Sequence, residues 1–269
     1  MVTTLVYGLA GGMLCVIATA QCQQIAWRFL RLMGAVVLAL ACGLTMWHWS
    51  ALRLDPTASF PPAFWVGIAL GVVAMVIVLI APLASRGGRG FPGVCALGGM
   101  LGLGAASLSA MAGVSTTHTL SIMATALVVV SQILAGLLLG SITVSWLLGH
   151  AYLTATKMTI APLKHFSRVL SLAIMLRIVF ALLSVLTAWM VGAQSEPAIL
   201  SQLGQAWLIL LLRVGVGLIG VGIFTYMVTD CVNRRATQSA TGILYFGSLF
   251  AYIGEMANQQ LLLECGWPL

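Results

Sequence analysis

Long stretches of this sequence carry almost no charge, and their length limits the folds open to the chain. Eight apolar runs cover residues 3–21, 32–49, 63–84, 93–113, 120–149, 169–191, 205–229 and 241–262. A helix rises ~1.5 Å per residue, so about 20 apolar residues cross a ~30 Å hydrocarbon layer. Each run meets that requirement, and the fifth is long enough to tilt or project. Inside lipid an open backbone group finds no partner, so the runs are expected to be helices. They are too long and too uniformly apolar for barrel strands. Composition excludes a soluble core: of 269 residues, 61% are hydrophobic and 6% charged, against roughly 25% charged in soluble domains. The expectation is all-α: one polytopic integral membrane helix bundle over residues 1–269, with about eight transmembrane helices. Nothing in it leaves room for an extramembranous catalytic domain. Ala18-Thr19-Ala20 resembles a signal-peptide cleavage site, but no Lys or Arg precedes the first apolar run. A retained first span is therefore expected.

The net charge of +7 reflects loop clusters rather than a nucleic-acid surface. Arg28, Arg31, Arg86, Arg89, Lys157, Lys164, Arg168, Arg234 and Arg235 fall in the first, third, fifth and seventh connections. The even connections and the C-terminal tail hold only Arg53. Basic loops stay cytoplasmic, so both termini are expected on the non-cytoplasmic side. A missed or false span would scramble this alternation. Trp47, Trp49, Trp65, Trp189, Trp207 and Trp267 then belong to the outer interface, and Trp27 and Trp146 to the inner one. The partners implied are the lipid bilayer of a cell membrane (a bacterial inner membrane) and other subunits of a membrane complex.

Several motifs carry less than they first suggest. Gly215-Val216-Gly217-Leu218-Ile219-Gly220 has the dinucleotide-binding spacing, but it lies inside an apolar span without a preceding strand. Its small residues suit close helix approach, as do Gly67/Gly71, Gly98/Gly102 and Gly136/Gly140. The six cysteines show no metal or redox spacing; no metal site is expected. Two segments read as more than span: Gly149-His150-Ala151-Tyr152-Leu153, leading to Pro162-Leu163-Lys164-His165, and the polar stretch Arg235 to Gly242 that opens the last run. Helix caps and basic anchors account for both.

Charges left inside the spans are the informative residues. Arg177, Arg213 and Glu255 lie in apolar runs, where each costs several kcal/mol unless it faces the bundle interior and finds a partner. Arg213 lies eight residues past the start of its run, about 12 Å deep. Glu255 lies seven residues before the end of the next run, about 10 Å deep. Those runs are consecutive and antiparallel, so an Arg213–Glu255 pair in the outer third is geometrically easy. Arg177 is expected nearer the inner half. Gln132, Tyr252, Asn258 and Gln259 are polar neighbours that would widen such a site. The histidines fall near the interfaces: His48 and His118 outside, His150 at the end of the fifth run and His165 in the following loop. One pair on each face is what a b-type haem cytochrome would offer as axial ligands.

The run from Trp207 to Arg213, the Gly254-Glu255 pair and His48 after the core of the second span carry a family resemblance. With eight spans and both ends outside, the chain resembles the quinol-oxidising membrane anchor subunit of DMSO-reductase-type molybdoenzymes. The resemblance implies that His48, Arg213 and Glu255 border a quinol pocket and that electrons pass to an iron–sulfur partner. The expected function is a quinone-interacting membrane subunit of a respiratory electron-transfer complex. The alternatives are a small-solute or ion transporter, for which no Gly- or Pro-broken pair of spans is visible, and a membrane cytochrome carrying haem b. No catalytic residue is assigned within the chain itself.

Overall fold

The computed structural model describes residues 1–20, 24–54, 62–84, 90–115, 122–154, 159–192 and 204–269. Among them every regular element is helical: α1 Val2–Ala18, α2 Trp27–Leu54, α3 Pro62–Ala84, α4 Phe91–Ser115, α5 Ile122–Thr154 and α6 Ala161–Gly192. The seventh helix, α7, covers Trp207–Asn233, and α8 covers Thr237–Cys265. Six of them, α2 to α7, are long and apolar enough to cross a membrane. At 17 residues α1 is shorter, and α8 carries Glu255, Asn258, Gln259, Gln260 and Glu264 along its second half.

Most helices outrun the apolar stretches that announce them. Trp27, Arg28 and Arg31 belong to α2, and Lys164, His165 and Arg168 to α6 rather than to a loop. Apolarity marks the part of a helix that meets lipid; the backbone ladder continues into polar residues. Pro162 fits the first turn of α6, where a missing N–H leaves no intrahelical bond unmade.

The bundle is built around α1. Ten of its residues are buried, among them Tyr7, Met13 and Leu14. It packs on α4 and α5 through glycine. A Cβ built on Gly12 would lie 1.7 Å from the Gly136 oxygen, and one on Gly11 would lie 2.6 Å from the Leu103 nitrogen. One on Gly140 would lie 2.2 Å from the Gly12 carbonyl carbon. Only glycine lets these three backbones approach so closely. On one side α2 and α3 pair; on the other α6 and α8 pack on α5, and α7 packs on α6 and α8. Large apolar side chains cover the outside, such as Leu79, Leu108, Leu182 and Ile219, as a lipid-facing surface requires.

Two features depart from regular helix. In α7, Leu212–Gly220 winds as a π-helix between α-helical ends. At the end of α8, Gly266 adopts φ 65°, and its N–H bonds Leu262 O at 3.0 Å. A left-handed residue at this point suits glycine. It turns Trp267, Pro268 and Leu269 back into the bundle. Trp267 is therefore 5% exposed and donates to Ser184 O at 3.1 Å. Its ring thus faces the bundle rather than lipid. Trp47, Trp49, Trp65, Trp189 and Trp207 remain exposed.

Candidate functional site

The charges left in the spans converge. Arg177 reaches from α6, Arg213 from the π-helical part of α7 and Glu255 from α8, and all three are 0% exposed. Arg177 donates from Nε to Glu255 Oε1 at 3.0 Å and from Nη2 to Oε2 at 2.7 Å. Arg213 donates from Nη1 to Oε1 at 2.8 Å. Glu255 thus serves both arginines, and Arg177 does not stay apart in the inner half. A count along the sequence has one dimension, whereas the long arginine side chain reaches across to the neighbouring helix.

The triad carries one more positive than negative charge. Oxygens outside the triad take up the remaining donors. Arg213 donates to Leu269 O from Nε at 3.1 Å and from Nη2 at 2.8 Å, and to Gly254 O from Nη1 at 3.3 Å. Arg177 Nη1 donates to Ser131 Oγ at 3.1 Å, and its guanidinium lies 5.5 Å from the Phe180 ring centroid. Every guanidinium nitrogen of both side chains has an acceptor, as buried charge demands. The close approach of α7 to α8 follows from glycine again: a Cβ on Gly254 would lie 2.2 Å from Gly217 Cα. The Gly215–Gly220 string therefore lies in the π-helical segment, with Gly217 against α8.

Neighbouring amides extend the polar core onto α5. Gln259 Nε2 donates to Gln132 Oε1 at 2.6 Å. Asn258 Oδ1 accepts the Leu269 N–H at 2.9 Å, and Asn258 Nδ2 lies 3.5 Å from Ser131 Oγ. Tyr252 does not join this group; its hydroxyl lies 2.7 Å from Thr143 Oγ1. Thr143 itself donates to Leu139 O at 2.6 Å, so the tyrosine is the donor.

His48 stands elsewhere, on α2, which packs on α3 and α1. Its ring stacks on Tyr7 with centroids 6.3 Å apart, and its Nε2 is buried without a hydrogen-bond partner among the described residues. One turn back, Thr45 lines an apolar groove of about 360 Å³ between α2 and α3, with Ala41, Gly67 and Gly71. The other described histidines have separate neighbours. His150 Nδ1 lies 3.3 Å from Tyr245 Oη, and His165 Nε2 lies 3.0 Å from Thr19 Oγ1. His118 lies outside the described residues. Among the described residues no three His, Cys, Asp or Glu side chains form a group able to hold a metal ion.

Sequence reasoning missed three things: the partner-free state of His48 Nε2, the π winding that carries Arg213, and the return of Leu269 onto it. Gly266 next to the tail's Trp267 was a signal for the last. Neither of the others leaves a mark in hydropathy.

Fold and surface define an all-α, multi-pass integral membrane protein with a closed, charged core. Comparison with protein-family models, curated proteins and solved structures finds no match.

Proposed function

We propose that the chain is a quinone-interacting membrane subunit of an electron-transfer complex. It crosses a bacterial inner membrane eight times, with both termini outside, and resembles the anchor subunits of DMSO-reductase-type enzymes. The observation that carries this reading is His48. A buried imidazole nitrogen without a partner costs free energy unless something meets it. A quinone carbonyl accepts from an imidazole N–H, and a quinol hydroxyl donates to the bare nitrogen. The adjoining groove between α2 and α3 is apolar and open to the side, as an isoprenoid tail requires. Arg177, Arg213 and Glu255 act in this reading as the clamp that fixes α6, α7 and α8. Electron transfer itself belongs to partner subunits.

The test is binding of a quinol analogue to the purified protein, by fluorescence quenching. His48→Phe keeps the stack on Tyr7 and removes the nitrogen; affinity is expected to fall about tenfold, or ~1.4 kcal/mol. Equal affinity in wild type and variant refutes the site. A b-type absorption band in the reduced, purified protein would move the reading to a haem cytochrome.

A second reading, small-solute or ion transport, draws on the π-helical segment at Arg213. Such segments occur often at functional sites, and a charged residue within a span marks a transport path in many bundles. Reconstituted liposomes that show no flux for a panel of ions and metabolites would remove it.

A further inference from the structure

A cavity of about 300 Å³ lies where the end of α1 meets the start of α6. Its walls include Thr19, Gln24, Ala161, Pro162, His165 and Arg168. Among the described residues no acidic side chain lines it. This distinguishes it from the triad, where each cation is already matched to an acceptor. Arg168 is exposed and His165 half-buried on one face of α6, three residues and so one turn apart. Thr19 Oγ1 donates to Val16 O at 2.7 Å. Its single proton is thereby used, so the hydrogen in the 3.0 Å contact with His165 belongs to Nε2. That contact fixes the ring, and Nδ1 is left as the nitrogen that takes a second proton. The first turn of α6 adds the positive end of a 32-residue helix. A cavity at a helix end, with a fixed imidazole and a guanidinium and no acid, suits a compact polyoxygen anion.

We propose that this cavity binds a phosphate group, with Arg168 as its charged ligand, His165 as a second ligand that takes up a proton from solvent as the anion enters, and Thr19 holding the imidazole in place. Basic cavities between transmembrane helices at the membrane surface take anionic headgroups. The phosphodiester of an anionic phospholipid is one source of this chemistry, and a free phosphate ion is the other. The site is separate from the His48 groove and does not depend on its ligand.

The test uses the full chain purified in detergent. It is incubated with vesicles of equal phosphatidylglycerol and phosphatidylcholine, and retained lipid is counted by native mass spectrometry. Wild type is expected to retain phosphatidylglycerol preferentially. Arg168→Gln should lower that retention about fivefold, the effect of one basic residue at a membrane surface. Arg168→Lys should restore most of it, because the charge returns. His165→Gln should lower it as well. Inorganic phosphate separates the sources. Retention that inorganic phosphate leaves unchanged assigns the headgroup, and retention it abolishes assigns the free ion; both outcomes keep the phosphate site. Arg235→Asn, on the α7–α8 turn, is the control. Wild-type preference in both Arg168→Gln and His165→Gln overturns the proposal, as does an equal loss in Arg235→Asn. If Arg168→Gln aggregates, His165→Gln and Thr19→Val are read by the same criteria.

Discussion

Replacing Glu255 with glutamine leaves two buried guanidinium groups facing one amide. The carboxylate accepts three hydrogen bonds, at 3.0, 2.7 and 2.8 Å. An amide has one oxygen to offer, and its NH2 opposes an arginine N–H. Removing one member of a buried ion pair costs about 3–5 kcal/mol. Here two cations lose the same partner while their mutual repulsion stays, so the upper end, ~5 kcal/mol, is expected for Glu255→Gln. Arg177→Gln behaves differently. It removes one of the two cations and leaves the Arg213–Glu255 pair, so the cost is that of weakened charged hydrogen bonds, about 2–3 kcal/mol. The double variant has the net charge of the wild-type triad. Its cost should fall short of the two single costs together by at least ~2 kcal/mol, a coupling within the range of directly interacting residues. The assay is equilibrium unfolding in mixed micelles with increasing SDS, followed by tryptophan fluorescence. Additive single costs, or an Arg177→Gln as destabilised as Glu255→Gln, would refute the charge-balance reasoning.

Other outcomes follow from particular contacts. Gly12→Ala should cost upwards of ~3 kcal/mol, since its Cβ would meet the Gly136 carbonyl and the backbone cannot yield. Gly43→Ala, with nothing within 4 Å, should gain about 0.5–1 kcal/mol in the same unfolding assay. Tyr252→Phe should cost ~1 kcal/mol, one neutral hydrogen bond, and leave the Glu255 coupling unchanged. For topology, Glu264→Cys should react with a membrane-impermeant maleimide on intact cells, and Arg235→Cys only after permeabilisation; the reverse pattern inverts the orientation. Native Cys265 is 8% exposed and reports poorly. At the α7 terminus, Asp230 lies 2.9 Å from Arg234 and holds that guanidinium above its ordinary pKa through a hydrogen bond and its charge. The pair is exposed, so Asp230→Asn should leave the unfolding midpoint nearly unchanged.

Hydropathy made the helices legible because it reads the solvent each segment meets. The run 63–84 anticipates α3 to within a residue. The run 169–191 misses two turns of α6, because Lys164, His165 and Arg168 are helical without being apolar. The meeting of Arg213 and Glu255 was legible from depth alone, since antiparallel neighbours place equal depths side by side. That Arg177 shares the same carboxylate was not, because reach and helix tilt do not appear in a count along the chain. His48 shows the opposite failure. An outer-face position put it in a group with Arg213 and Glu255, but face says nothing of which helices are neighbours. The glycine interface of α1 was half visible. Gly136/Gly140 and Gly98/Gly102 marked two of its three helices, while Gly8, Gly11 and Gly12 stood unremarked in the first run.

The π-helical segment of α7 also sets a phase relation within one span. Arg213, on its first turn, must point at α8 and the returning tail, while Thr225, Val228 and Val232 beyond it are buried in the bundle. One residue corresponds to about 100° of α-helical rotation. If the segment relaxed to α winding with all nine of its residues kept, both ends could not keep their bearings. Either the guanidinium would swing toward lipid, or the buried face of Thr225 to Val232 would. The wider winding thus acts as a vernier between two halves of one helix, each cut to a different neighbour.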